Sequence, residues 1–96
     1  MIRRDGERLV IAGPVTLANV AQLLEEAKAH VASVRAVDLG EVTEVDSSLL
    51  AVLIAWLREA KAAGRTLSYA RLPEDLRTLA RLYGVAELLP QDAAPS

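Results

Sequence analysis

The sequence predicts an α/β fold: a small mixed sheet of about four strands, with three to four helices mainly covering one face. Short β-prone runs, RLVIAG, RAVDLG and LSYAR, alternate with segments whose apolar residues recur every three or four positions. Strand, helix, strand alternation calls for right-handed crossovers and parallel pairing. Apolar residues are 52% of the chain, yet aromatics are 3% and Phe is absent, so Leu, Val, Ile and Ala must build the core. That composition suits helices laid on a sheet. The length of 96 residues fits a single domain over 1–96, with a core at about 7–90 and a disordered tail at 91–96.

The elements follow in order. Asp5-Gly6 is a hairpin-turn signal between a first strand at Ile2 to Arg4 and the run around Val10 and Ile11. After Gly13-Pro14, the residues Leu17, Val20, Leu24, Ala27 and Val31 fall on one stripe of a helix, with Glu25, Glu26 and Lys28 towards water. Ala36 to Leu39 is the next strand, bounded by Gly40, and EVTEVD leads into EVDSSLLAVLIAW. The large apolar residues of that stretch surround most of a helix, so the helix is either sandwiched or part of it awaits a partner. Gly64 suits the left-handed residue after it, and Lys61 sits in the last turn, where a cation is favoured. Residues 67–71 form another strand. Pro73, Glu74 and Asp75 open a helix buried through Leu76, Leu79, Ala80 and Tyr83 and stopped by Gly84. VAELLP is a short last element packing Leu88 and Leu89.

Several chemistries are excluded. The chain has no Cys, which removes disulfides, thiolate metal sites and thiol nucleophiles and favours a reducing compartment. The five glycines never take a phosphate-cradle spacing, so no nucleotide cofactor is expected. His30 is the single imidazole, and neither Ser47 nor Ser48 lies in GxSxG, so a serine hydrolase is disfavoured and no catalytic residue is assigned. Asp38, Glu41, Glu44 and Asp46 read as a solvated acidic loop rather than a metal site. A net charge of −2 and three aromatics without basic interleaving argue against nucleic acid. The longest apolar run, Leu49 to Leu57, is about half of the roughly 18 residues a membrane span needs, and the N-terminus lacks a signal-peptide core, so a cytoplasmic chain without direct membrane insertion is expected. From residue 57 to 83, six cations face three anions, which reads as a solvated surface or as docking for an acidic partner.

What remains is Asp46, Ser47 and Ser48 at a helix start. Asp46 or Ser47 can cap the helix with no further role, because the side-chain oxygen accepts from first-turn amides. A second reading adds that a phosphate on Ser48 or Ser47 would gain from the helix dipole and its free amides, and would place two negative groups side by side at Asp46.

From about Glu7 to Pro90, the element order and VDSS followed by an apolar helix resemble the STAS domain, the fold of anti-sigma-factor antagonists. RTLARLYGVAELLP and the N-terminal hairpin are most similar to the small cytoplasmic STAS subunits of Mla-type phospholipid-transporting ABC systems. The resemblance implies a non-enzymatic accessory subunit, with no cofactor and no metal. Such a subunit binds a cytoplasmic MlaF-like ABC ATPase in complex with a membrane permease, supports outer-membrane lipid asymmetry, and is peripheral to the inner membrane through that complex. The alternative it implies is an anti-sigma-factor antagonist regulated by serine phosphorylation. Ser48 matches the antagonists' phosphorylated serine, Ser47 matches the hydroxyl residue after the Asp in the transport subunits, and Leu49 stands where antagonists usually have glycine. Asp46, Ser47, Ser48, Leu49 and an outward turn bearing Val52 and Trp56 are the expected partner-binding residues, with Arg77 and Arg81 as flanking cations. A homodimer of the isolated chain stays open.

Overall fold

The computed structural model describes residues 1–89; the expected tail at 91–96 lies outside them. Strands β1 (Ile2–Asp5), β2 (Arg8–Val15), β3 (Ala36–Val45) and β4 (Ser68–Ala70) form one sheet in the order β1-β2-β3-β4. The β1–β2 pair is antiparallel, and β2–β3 and β3–β4 are parallel. Helices α1 (Val20–Ala27), α2 (Ser47–Ala62) and α3 (Glu74–Leu82) follow β2, β3 and β4, and a 3-10 turn spans Ala86–Leu88. This is the small mixed sheet with helices on one face that the sequence predicts.

The hairpin turn is Gly6-Glu7, because Asp5 itself pairs with Arg8, and Gly6 takes a positive φ of 63°. Strand β3 runs on through Gly40 to Val45, where the sequence suggested a stop. Its ten residues pair with eight of β2 through register shifts between Val10 and Ala12 and between Gly13 and Pro14, so the extra residues are absorbed as irregularities rather than ending the strand. In α1 the buried positions are Leu23 and Ala27, whereas Leu24 is 43% exposed. The helix starts only at Val20, which leaves Leu17 in the preceding turn, and its buried stripe runs through Leu23 and Ala27 instead of Leu24. Tyr83 is the C-cap of α3 and is exposed rather than buried. Of the last pair, Leu89 is buried and Leu88 is exposed.

The core lies between the sheet and the helices. Leu9, Ile11, Val37, Leu39 and Tyr69 from the strands meet Leu23, Leu49, Leu53, Trp56 and Leu76 from the helices. The sandwiched reading of α2 is the right one, since Leu49, Leu50, Val52, Leu53, Trp56 and Ala60 are all buried. Tyr69 threads its polar end through this core by donating its hydroxyl to the Leu53 carbonyl at 2.5 Å, and burial pushes its phenol far above the usual range.

No described helix covers the other face of the sheet, and charged side chains shield it. Asp38, 6% exposed, accepts from Arg71 Nε at 3.0 Å and Nη2 at 2.8 Å and from the Gly40 amide at 2.8 Å, with Arg8 Nη1 3.7 Å away. Desolvation works to raise its pKa, but the Arg71 hydrogen bonds, the Gly40 amide and the two cations outweigh it and hold the carboxyl below its ordinary value. Arg3 bridges to Glu41 with bonds of 3.1 and 2.7 Å. Val10 stands in register with Arg3 and Asp38 and is only 3% exposed. Gly40 makes room for this arrangement, because a Cβ there would lie 2.5 Å from Arg71 Cζ and Nε.

Two outcomes are expected. Asp38→Asn should cost on the order of 1 kcal/mol at neutral pH. Asp38 titrates lower folded than unfolded, so its contribution is full above the unfolded value of about 3.9 and is lost as pH falls through the folded one. Urea unfolding of the Asn variant should therefore show a shallower loss of stability below about pH 4 than the parent chain. Tyr69→Phe should cost about 1 kcal/mol in the same assay, since the Leu53 carbonyl belongs to α2 and keeps its helical setting.

Candidate functional site

Parallel pairing brings the ends of β2 and β3 to one edge of the sheet, and Asp46 sits there. Its backbone is extended, with φ −140° and ψ −172°, and it is the N-cap of α2. Oδ1 accepts the Ser48 amide at 2.9 Å and also the Ser48 hydroxyl. Oδ2 accepts the Leu17 amide at 2.9 Å. One carboxylate thus joins the start of α2 to the loop between β2 and α1. The Ser48 hydroxyl and the Leu17 amide, with the Ser48 amide, hold the Asp46 carboxyl below its usual range against the opposing effect of desolvation.

The loop is built to present Leu17. Thr16 donates its amide to Asn19 Oδ1 at 2.9 Å, Asn19 Nδ2 donates to the Pro14 carbonyl at 2.8 Å, and the Ala18 amide donates to Thr16 Oγ1 at 3.3 Å. These side-chain bonds shape a turn ahead of α1 and leave Leu17 78% exposed. Sequence reasoning missed this residue because its spacing to Val20 matches a helical stripe. The signal that could have found it is Thr16 with Asn19, two turn-forming residues astride it.

The expected site residues divide sharply. Ser47 is exposed, Asp46 and Ser48 are half-buried, and the Ser48 hydroxyl is bound to Asp46. Leu49 is 0%, Val52 6% and Trp56 4% exposed, so the outward turn bearing Val52 and Trp56 is corrected: these side chains fill the core. The reason is the sandwiching of α2 against the sheet and both neighbouring helices, which consumes a wide arc of its circumference. Leu49, also expected to bind a partner, likewise points inward and fills the core. The α2 surface left exposed at this end is Ser47, Ala51 and Ala55, four residues apart and on one face.

The other candidates lie elsewhere. His30 follows α1, at the opposite end of that helix from the Asp46 edge, where its Nδ1 is 3.4 Å from Arg4 Nη1 and its carbonyl accepts the Ser33 hydroxyl. It is therefore not beside Ser47 or Ser48 as a base. Asp38 and Glu41 are taken up by arginines, and among the described residues no three His, Asp or Glu side chains gather as metal ligands. No helix of the described residues is long and apolar enough to cross a membrane. Arg77 and Arg81 are exposed on α3, with Arg81 Nη2 3.7 Å from Glu74 Oε1.

The Asp46 bridge makes a local prediction. In Asp46→Ala, hydrogen exchange at the Leu17 and Ser48 amides should speed up markedly while amides in β2 and β3 keep their protection; Asp46→Asn should show a smaller change.

The fold has counterparts among known proteins. The fold resembles that of unphosphorylated SpoIIAA, an anti-sigma factor antagonist, with a TM-score of 0.70, 12% identity and coverage of 98% of this chain and 88% of that one. It also resembles the phosphorylated form of SpoIIAA from Bacillus, at TM-score 0.65 and 14% identity over 98% and 91% of the two chains. A putative anti-sigma factor antagonist from Thermotoga maritima gives TM-score 0.74 and 13% identity over 98% and 86%. At such identities the likeness is one of fold. No curated protein matches the chain. The family model described as "Mlab, STAS domain" matches residues 1–90, nearly the full length, and the chain accordingly belongs to that STAS domain family.

Proposed function

We propose that this chain is a non-enzymatic accessory subunit that binds the cytoplasmic ATPase of a phospholipid-transporting ABC complex of the MlaFEDB type. In this reading it supports the assembly and activity of a transporter that maintains outer-membrane lipid asymmetry. It resides in the cytoplasm and is held at the inner membrane through the complex. The observation that carries the reading is the match of the MlaB-type STAS family over residues 1–90. The surface at the Asp46 edge supports it. Leu17 offers an exposed apolar anchor beside the exposed Ser47, and the small side chains of Ala51 and Ala55 let a partner approach closely. A rigid anchor loses little entropy on binding, and the Asp46 bridge supplies that rigidity.

A second reading, an anti-sigma-factor antagonist switched by serine phosphorylation, is favoured by one observation. Ser48 is the serine matched to the antagonists' phosphorylated residue, and its hydroxyl bonds to Asp46. A phosphate there would replace an attractive bond with a like-charge contact against Asp46 and disturb the cap to which Leu17 is tied.

Affinity capture of the tagged full chain from native extract separates the two, since one predicts an ABC ATPase and the other a serine kinase of the anti-sigma type. Leu17→Glu and Ser47→Glu should each weaken ATPase binding by about 2 kcal/mol, roughly thirtyfold in Kd, with far-UV circular dichroism unchanged. Leu82→Glu, an exposed change at the far end of α3, should leave binding intact. Retained ATPase binding in both edge variants would sink the proposed surface. Leu49→Glu is unsuitable as a probe, because a buried carboxylate there would unfold the chain.

A further inference from the structure

One side chain closes the loop that carries Leu17. Asn19 uses both ends of its amide: Nδ2 donates to the Pro14 carbonyl at 2.8 Å, and Oδ1 accepts the Thr16 amide at 2.9 Å. Its backbone amide adds a bond to the Thr16 carbonyl at 3.0 Å, so the segment 14–19 is tied back on itself. Asn19 has another use by position, and it is not put to it. It is the N-cap of α1, where Asn is among the preferred residues because its oxygen accepts from first-turn amides. Yet its side chain makes no cap bond. The difference from Asp46, which does cap α2, is in ψ: the Asp46 backbone is extended at −172°, whereas Asn19 stands at 6°.

The loop gains no packing in exchange, since Pro14, Leu17 and Ala18 are all exposed. A local preference set aside without a gain in burial points to function. The residue type is also selective. Asp matches Asn in shape, but a carboxylate has no donor for the Pro14 carbonyl, and Ser offers one oxygen in place of two separate atoms. We infer, resting on the ATPase reading, that Asn19 is a positioning residue: its two-ended amide holds Leu17 in the orientation in which the partner takes it. Its part differs from that of Asp46, which holds the Leu17 amide itself, whereas Asn19 holds the chain leading into Leu17. An anchor fixed before binding loses less freedom on association and binds more tightly.

The test measures the Kd of the full chain for the ABC ATPase captured with it, in Asn19→Asp, Asn19→Ser, Leu17→Ala and each Asn19 variant combined with Leu17→Ala. Urea unfolding of each variant runs alongside. Asn19→Asp and Asn19→Ser should each weaken binding about tenfold in a folded chain. In the Leu17→Ala background the same changes should cost less than about twofold, because no anchor remains to be positioned. A merely structural Asn19 would lower the urea midpoint and leave the Kd of the folded chain unchanged. That result overturns the inference, as does a loss that adds in full to that of Leu17→Ala. Asn19→Ser brings no new charge to the edge, so a loss confined to Asn19→Asp is surface repulsion and overturns it too. If Leu17→Glu weakens ATPase binding and the Asn19 variants do not, positioning fails and the ATPase reading stands. If capture recovers no ATPase, both fall.

Discussion

Because β2 and β3 run side by side in the same direction, the segments that leave them emerge at the same edge of the sheet, and everything at that edge depends on this pairing. Asp46 can accept from Leu17, 29 residues earlier in the chain, only because the parallel register sets the end of β2 beside the end of β3. An antiparallel pair would have sent the two helix starts to opposite ends. The carboxylate therefore acts as a clamp across a crossover connection: it caps α2, and it fixes the loop that leads into α1. The Ser48 and Leu17 hydrogen bonds favour the ionised carboxylate, the form that accepts them, and lower its pKa.

The fold was legible because its signals are periodic. Alternating β-prone and helical runs give the element order, and Gly64, Pro73 and Gly84 mark helix ends through backbone preferences that act locally. Where the reading went astray, a local signal was overridden at a distance. Gly40 reads as the end of a strand, yet the strand runs through it, and a Cβ there would oblige the Arg71 side chain to shift. Leu17 looked helical because its spacing was right, but turn bonds from Thr16 and Asn19 stop the helix short of it. Within the site, the sequence located the cap at Asp46 and could not see its second partner. Val52 and Trp56 illustrate the same limit: helical periodicity gives a direction around the axis, and only the packing of α1 and α3 on either side decides how much of that circumference is buried.

The relation between this chain and the antagonists is instructive for the same reason. Identities of 12 to 14% accompany near-complete overlap of the fold, so what is shared is the fold itself. The fold supplies a platform, and function is set by the residues placed on it.

The arginine-covered face carries a consequence for descent rather than for binding. Asp38 and Gly40 lie two residues apart on β3 and Arg71 directly follows β4, yet the three meet: the Arg71 side chain lies over Gly40, and the Asp38 carboxylate holds it there. Arg71 adds a backbone with φ of 53°, an uncommon conformation for a residue with a side chain. A lineage that lost Arg71 would lose with it the steric reason for glycine at position 40, and alanine or a β-branched residue would then suit the strand better.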